Sequence, residues 1–212
     1  MIQIAHRGHS HKYGDNNMLS FQKAFEDGFE MIELDIQLCG SGEIIIYHDT
    51  YIDSQYINQL SYDYLKQKDI ILLEDFFREF RNKDVFIYLD IKGSYKVSYP
   101  LIDMLKKWFS QDSLKKIYIS GFDRKFVDVF VDSQLPIHIG FTTENNFPVE
   151  QLKHITKHCS FACLHWTALD VEAIKFFKKN NIAVYSYTCK EDFILYYMKQ
   201  FDLDGIVTNY PI

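Results

Sequence analysis

Two hydrophobic periodicities take turns along this chain. Ile2-Gln3-Ile4-Ala5, Met31 to Leu38, Val85 to Ile91, Ile117 to Ser120, Ile137 to Gly140, Phe161 to Trp166, Ala183 to Tyr187 and Gly205 to Thr208 are short runs rich in β-branched and aromatic residues. They predict eight strands. Between them, apolar residues recur at helical spacing. Phe21, Ala24, Phe25 and Phe29 form one such stripe, with Asn17 placed to cap its start and Gly28 to stop it. Leu73, Phe76, Phe77 and Phe80 form a second, over 72–80. Further helices are predicted over 62–67, over 100–109, from Asp123 through Phe130, from Pro148 as a first helical residue, from Asp170 as a cap with Val171, Ile174 and Phe177 inward, and over 191–201. Strands that alternate with helices imply a parallel sheet. Eight such units predict an α/β fold closed as a compact (β/α)8 TIM barrel. An open doubly wound sheet is the other arrangement of this pattern, but no G-x-G-x-x-G follows the first strand. One feature departs from the alternation. After the second strand, Cys39-Gly40-Ser41-Gly42 reads as a turn and Glu43 to Tyr47 as a returning strand, which predicts a β-hairpin. No linker, repeat or low-complexity stretch interrupts the pattern, so residues 1–212 are expected to form a single domain.

The apolar pattern breaks where chemistry is concentrated. In Ile32-Glu33-Leu34-Asp35-Ile36, alternation places Glu33 and Asp35 on one face of the second strand and the three apolar residues on the other. Two carboxylates on one face of a buried strand repel each other and are costly to desolvate. A divalent cation is the simplest way to offset that cost. In a barrel the ends of the strands share one rim. His6 and Arg7 follow the first strand, and Asp90 and Lys92 end the third. A hairpin centred near Ser41 puts His48 opposite Leu34, beside the acidic pair. Glu33, Asp35 and Asp90 with no thiolate suit Mg²⁺ or Ca²⁺, with Mn²⁺ a third choice. Arg7 and Lys92 suit a phosphate. His6 and His48 are the residue type for proton transfer near neutrality. Together these groups describe cleavage of a phosphoric ester. His9 and His11, with His138 and His165 further on, superficially offer a zinc site, but no acidic ligand falls naturally with them.

Composition narrows the setting. The net charge of −6 argues against nucleic acid as a partner. No apolar run is long enough to cross a membrane, so stable membrane insertion is not expected. The chain opens directly on a strand without a basic and then apolar leader. The four cysteines, Cys39, Cys159, Cys163 and Cys189, form no C-x-x-C pair and read as free thiols. These features fit a cytoplasmic protein. Aromatic residues make up 17% of the chain, so much of the core should be aromatic.

An ordered set of motifs resembles the glycerophosphodiester phosphodiesterase family. The set comprises His6-Arg7-Gly8, Asp15-Asn16-Asn17, Phe21-x-x-Ala24, Gly28, Glu33-Leu34-Asp35, Gly42, His48-Asp49, Asp90-x-Lys92 and the terminal Asp204 to Pro211. The resemblance is dense over residues 4–49 and at the C-terminus. It implies a barrel enzyme that hydrolyses glycerophosphodiesters to glycerol 3-phosphate and an alcohol with one divalent cation. By the same resemblance, His6 and His48 would be the acid–base pair, Glu33, Asp35 and Asp90 the metal ligands, and Arg7 and Lys92 the phosphate ligands. Asp15, Asn16 and Tyr187 would support the site or form a substrate wall. The mechanism usually proposed for the family has the glycerol 2-hydroxyl attack phosphorus, with water opening the resulting cyclic phosphate. The sequence departs from the family pattern in several places. Gly14-Asp15-Asn16-Asn17 stands for a Pro-Glu-Asn-Thr motif, Asp90 for a Glu, Tyr187-Thr188 for a Trp-Thr and Asn209 for an Asp, and the segment after Asp49 is short. Two other functions fit these residues: a non-catalytic relative that binds a phosphorylated ligand, and a lysophospholipase D-like activity.

Overall fold

The computed structural model describes all 212 residues. Eight parallel strands close on themselves. They are β1 (Ile2–Ala5), β2 (Met31–Leu38), β3 (Phe86–Ile91), β4 (Ile117–Gly121), β5 (His138–Thr143), β6 (Phe161–His165), β7 (Ala183–Cys189) and β8 (Gly205–Thr208). Each pairs with its sequence neighbours, and β1 pairs with both β2 and β8, so the barrel has no open edge. Helices fill the crossovers between strands. All eight strands fall where the apolar runs predict them. β5 and β7 run on to Thr143 and Cys189, beyond Gly140 and Tyr187, because ladder partners from β6 and β8 extend them through polar residues.

Alternation along the strands sorts side chains between two cores. Ile32, Leu34 and Ile36 of β2, Leu89 of β3 and Ile119 of β4 face outward and pack on the helices with Phe21, Phe76, Phe77 and Phe80. Ile4, Met31, Tyr88, Phe161, Cys163 and Tyr185 fill the barrel interior. That interior is largely aromatic, with Tyr88 and Phe161 edge to face. Gly140 makes the filling possible, since a methyl group there would overlap the Phe161 ring.

Local signals account for some helix starts. Asn17 caps Met18–Glu26, accepting from Ser20 N at 2.9 Å. Asp170 caps Val171–Lys179 through Ala173 N at 2.8 Å. Pro148 is the cap of Val149–Ile155 and not its first helical residue. Asp123 accepts from Lys125 N but lies two residues ahead of the helix Lys125–Ser133, whose cap position is Arg124. The helix predicted to begin at Pro100 begins at Ser98, with Pro100 inside the first turn, where its missing N–H has no cost. The hairpin return is Ile44–Ile46, paired Ile36 to Ile46 and Leu38 to Ile44, the register centred on Ser41. Ile71–Leu72 adds a further antiparallel pairing to it that the sequence pattern does not announce. No helix is long and apolar enough to cross a membrane.

Candidate active site

At the carboxyl end of the barrel lies a cavity of about 260 Å³, lined by His6, Arg7, Glu33, Asp35, His48, Asp90, Lys92 and Tyr187. Every residue expected to carry chemistry is therefore in one place. Asp15 and Asn16 stand behind them, against Arg7 and Asp35.

The turn after β1 builds one wall. Arg7 takes a left-handed backbone conformation (φ 56°), and its N–H donates to Glu33 Oε2 at 2.8 Å. Its guanidinium reaches Asp15 Oδ2 at 2.8 Å through one terminal nitrogen, and Nε lies 3.0 Å from Asp35 Oδ2. Gly8 follows with φ 79°, pressed on the backbone of Ser20 and Phe21, a position that has no room for a side chain. Asn16, also left-handed (φ 54°), donates to Asp35 Oδ2 at 2.7 Å.

β2 and β3 build the floor. Their parallel register sets Asp35 beside Asp90. Ligand oxygens of Glu33, Asp35 and Asp90 lie within 4.8 Å of one another, and this is the one group of three metal-ligating side chains in the chain. Lys92 Nζ bonds Asp90 Oδ2 at 2.6 Å and lies 3.2 Å from Asp35 Oδ1. The three carboxylates face two cations, and Arg7 is shared with Asp15 as well, so the cluster holds negative charge in excess. Its members share that excess unequally. Burial pushes Glu33 well above the usual carboxylate range, and Asp35 and Asp90 push it further. Burial also raises Asp90 against the pull of Lys92. For Asp35, burial is outweighed by Lys92 and Arg7, so it ionises more readily than an ordinary aspartate. Lys92 is held charged by Asp90 and Asp35 in spite of its burial. Asp90 Oδ1 is buried and has no hydrogen-bond partner. An unpaired acceptor among three close carboxylates is what a cation-ligating set presents to its ion, so the residues fit a hard divalent ion.

The two histidines differ. His6 Nδ1 lies 2.6 Å from Asn209 Oδ1, an acceptor that leaves the imidazole Nε2 lone pair free. Burial, and then the Arg7 charge, bring its pKa down to about 4. His6 is therefore neutral at pH 7 and does not titrate near neutrality as its residue type suggests. His48 arrives on the hairpin as its register predicts, half-exposed, with Nδ1 2.7 Å from Asp49 Oδ1.

The other histidines scatter. His9 is buried and paired with Asp27 at 2.6 Å, and His11 packs on Tyr210. His138 stacks on Tyr118 at 4.2 Å. Only His165 reaches the cavity, beside Tyr187. Glu144, Trp166 and Lys190 also line it, and sequence reasoning passed over them. They sit just past strand ends whose boundaries the apolar pattern sets too early or leaves loose, so the rim they share becomes visible only with the strand lengths known.

A closed parallel barrel with this cluster at its carboxyl rim defines a class, the barrel hydrolases of phosphoric diesters. Residues 6–212 match the glycerophosphoryl diester phosphodiesterase family, and the chain belongs to that family. It is 24% identical over 233 residues to a glycerophosphodiester phosphodiesterase of Caldanaerobacter subterraneus, covering 99% of this chain and 94% of that one. It is 27% identical to an uncharacterized protein of Mycoplasma genitalium, covering 88% and 86%. Among solved structures it is similar to an Oleispira antarctica phosphodiesterase in complex with the product sn-glycerol-3-phosphate, with a TM-score of 0.86, 21% identity and coverage of 100% and 94%. It is also similar to a Thermotoga maritima glycerophosphodiester phosphodiesterase, with a TM-score of 0.79, 24% identity and coverage of 99% and 94%.

Proposed function

We propose that this chain hydrolyses glycerophosphodiesters to glycerol 3-phosphate and an alcohol, with a divalent cation held by Glu33, Asp35 and Asp90. The observation that carries this reading is the acidic trio itself, buried, with its ligand oxygens within 4.8 Å of one another and Asp90 Oδ1 unpaired. Mg²⁺ and Ca²⁺ suit an all-oxygen set. Bound there, the ion would polarise the phosphoryl oxygens and neutralise charge gained during displacement.

The chain's own residues supply the rest. Arg7 and Lys92 flank the trio and bind the phosphate from two sides, with Asp15 and Asp35 fixing the guanidinium. His6, neutral and with Nε2 free, accepts a proton from the attacking hydroxyl. His48, its Nδ1 tied to Asp49, gives a proton through Nε2 to the departing alcohol oxygen as the glycerol 2-hydroxyl bonds phosphorus; it then takes one from the water that opens the cyclic phosphate, while His6 returns its proton to the 2-oxygen. Tyr187 forms a wall. Its hydroxyl is buried without a partner, which suits a hydrogen bond to a substrate hydroxyl.

The test is release of glycerol 3-phosphate from glycerophosphocholine or glycerophosphoethanolamine. Activity should require added Mg²⁺ or Ca²⁺ and stop with EDTA, and His48→Ala should lose about 10²- to 10⁴-fold in kcat. Turnover that survives exhaustive chelation would remove the metal role of the trio.

A further inference from the structure

His48 stands on a segment that little else holds. Its side chain is half-exposed, and the hairpin ladder ends at Ile46. The backbone beyond is tied by Tyr47 N, which donates to Asp35 O at 3.0 Å, and by Ile57 N, which donates to Thr50 O at 2.9 Å. Neither bond fixes the carbonyls on either side of His48.

Gln37 does. It lies on β2 at the next inward position after Glu33 and Asp35, and it is 2% exposed. Its side-chain amide donates to Tyr47 O at 2.7 Å and to Asp49 O at 2.8 Å. The two N–H groups of one amide are thus spent on the two carbonyls that bracket His48. An amide has two such donors at a fixed angle, which sets the relative position of both carbonyls and hence the path of the peptide between them. On its other side the Gln37 side chain lies beside Gly93, the residue after Lys92. One strand face therefore carries, in steps of two, Glu33, Asp35 and a clamp that joins the His48 loop to the rigid barrel. A catalytic group on a loop performs only as well as the groups that hold it.

We infer that Gln37 is a positioning residue, fixing His48 for proton transfer without itself touching substrate. The inference rests on the proposed role of His48. Gln37→Met keeps length and apolar volume but removes both donors. It should lower kcat on glycerophosphocholine at least tenfold with KM within twofold of the parent. The double variant Gln37→Met with His48→Ala should be no slower than His48→Ala alone, since a residue that acts only through His48 has nothing left to position. A general packing defect would instead add its loss to that of His48→Ala. Gln37→Leu, which also lacks both donors and adds no charge beside the acidic trio, serves as the second variant if Gln37→Met folds poorly. Amide exchange in both should quicken in the peptide that spans 47–49 and stay unchanged in β3. A parent-like kcat in both folded variants, or additive losses in the double variant, would overturn the inference while leaving His48 in its role. An unchanged rate in His48→Ala would instead overturn the proposed function, and the positioning role with it.

Discussion

Lys92→Met tests the electrostatic argument for the site most directly. Lys92 Nζ lies 2.6 Å from Asp90 Oδ2 and 3.2 Å from Asp35 Oδ1, and its side chain is only 13% exposed. At an effective dielectric constant near 20, these contacts correspond to about 6 and about 5 kcal/mol of attraction. Desolvation of the ammonium cancels much of that. Removing one partner of a buried ion group typically costs about 3–5 kcal/mol, because the carboxylates left behind lie buried without their cation. With m about 2 kcal/mol/M, the urea midpoint at pH 8 without divalent ions should fall by roughly 1.5–2.5 M. The pH dependence supplies the sharper check. In the parent, Asp35 is depressed below its ordinary value, so its contribution is present above that value and is lost only in acid. Without Lys92, each carboxylate loses a cation that opposes its burial, so Asp35 and Asp90 both bind protons more tightly than they do in the parent. The variant therefore gains stability relative to the parent as pH falls from 8 to 5, and the gap between them narrows. Lys92 itself is raised above its ordinary value, so its own titration is silent until strongly alkaline pH. A variant midpoint within about 0.3 M of the parent at pH 8, or a gap that does not narrow at pH 5, would refute the claim that Lys92 balances this cluster.

Three further outcomes follow from the same structure. His6, lowered from 6.5 to about 4 in the folded chain, makes the unfolded state the better proton binder between those values. The His6 contribution to stability should therefore fall by about 3 kcal/mol as pH drops from 6.5 to 4. In urea titrations at several pH values, His6→Asn should lose that part of the slope. Gly140→Ala should cost about 1–3 kcal/mol, read as a lower thermal midpoint, because the new methyl displaces the Phe161 ring in a filled interior. A variant as stable as the parent would show that the interior has slack. Asp90→Glu lengthens the ligand by one methylene and should alter the Mg²⁺ concentration that gives half-maximal activity at least threefold, while Asp90→Ala should abolish metal-dependent turnover. Identical metal dependence in Asp90→Glu and the parent would place Asp90 outside the coordination sphere.

Much of this protein was legible in its sequence, and for local reasons. Strand runs and helix stripes are set by which positions must be apolar, so eight strands at the right places determined the barrel. Alternation on β2 is a two-residue rule, and it correctly sent Glu33 and Asp35 inward while Ile32, Leu34 and Ile36 faced the helices. Hairpin register depends only on the turn, so His48 could be brought to the acidic pair by counting. What the tertiary structure alone decided concerns distance and burial. That His6 is neutral depends on its burial and on the nearby Arg7 charge. That Lys92 is shared between Asp90 and Asp35, and that Asp90 keeps one oxygen unpaired, depends on the register between β2 and β3. Glu144, Trp166 and Lys190 join the cavity only because strands that are far apart in sequence end at one rim. Gln37 reads as an ordinary polar strand residue until the hairpin folds back and sets two carbonyls within reach of its amide. Sequence patterns fix which face a side chain takes, but charge, protonation and hydrogen-bond partners are properties of what the fold puts opposite it.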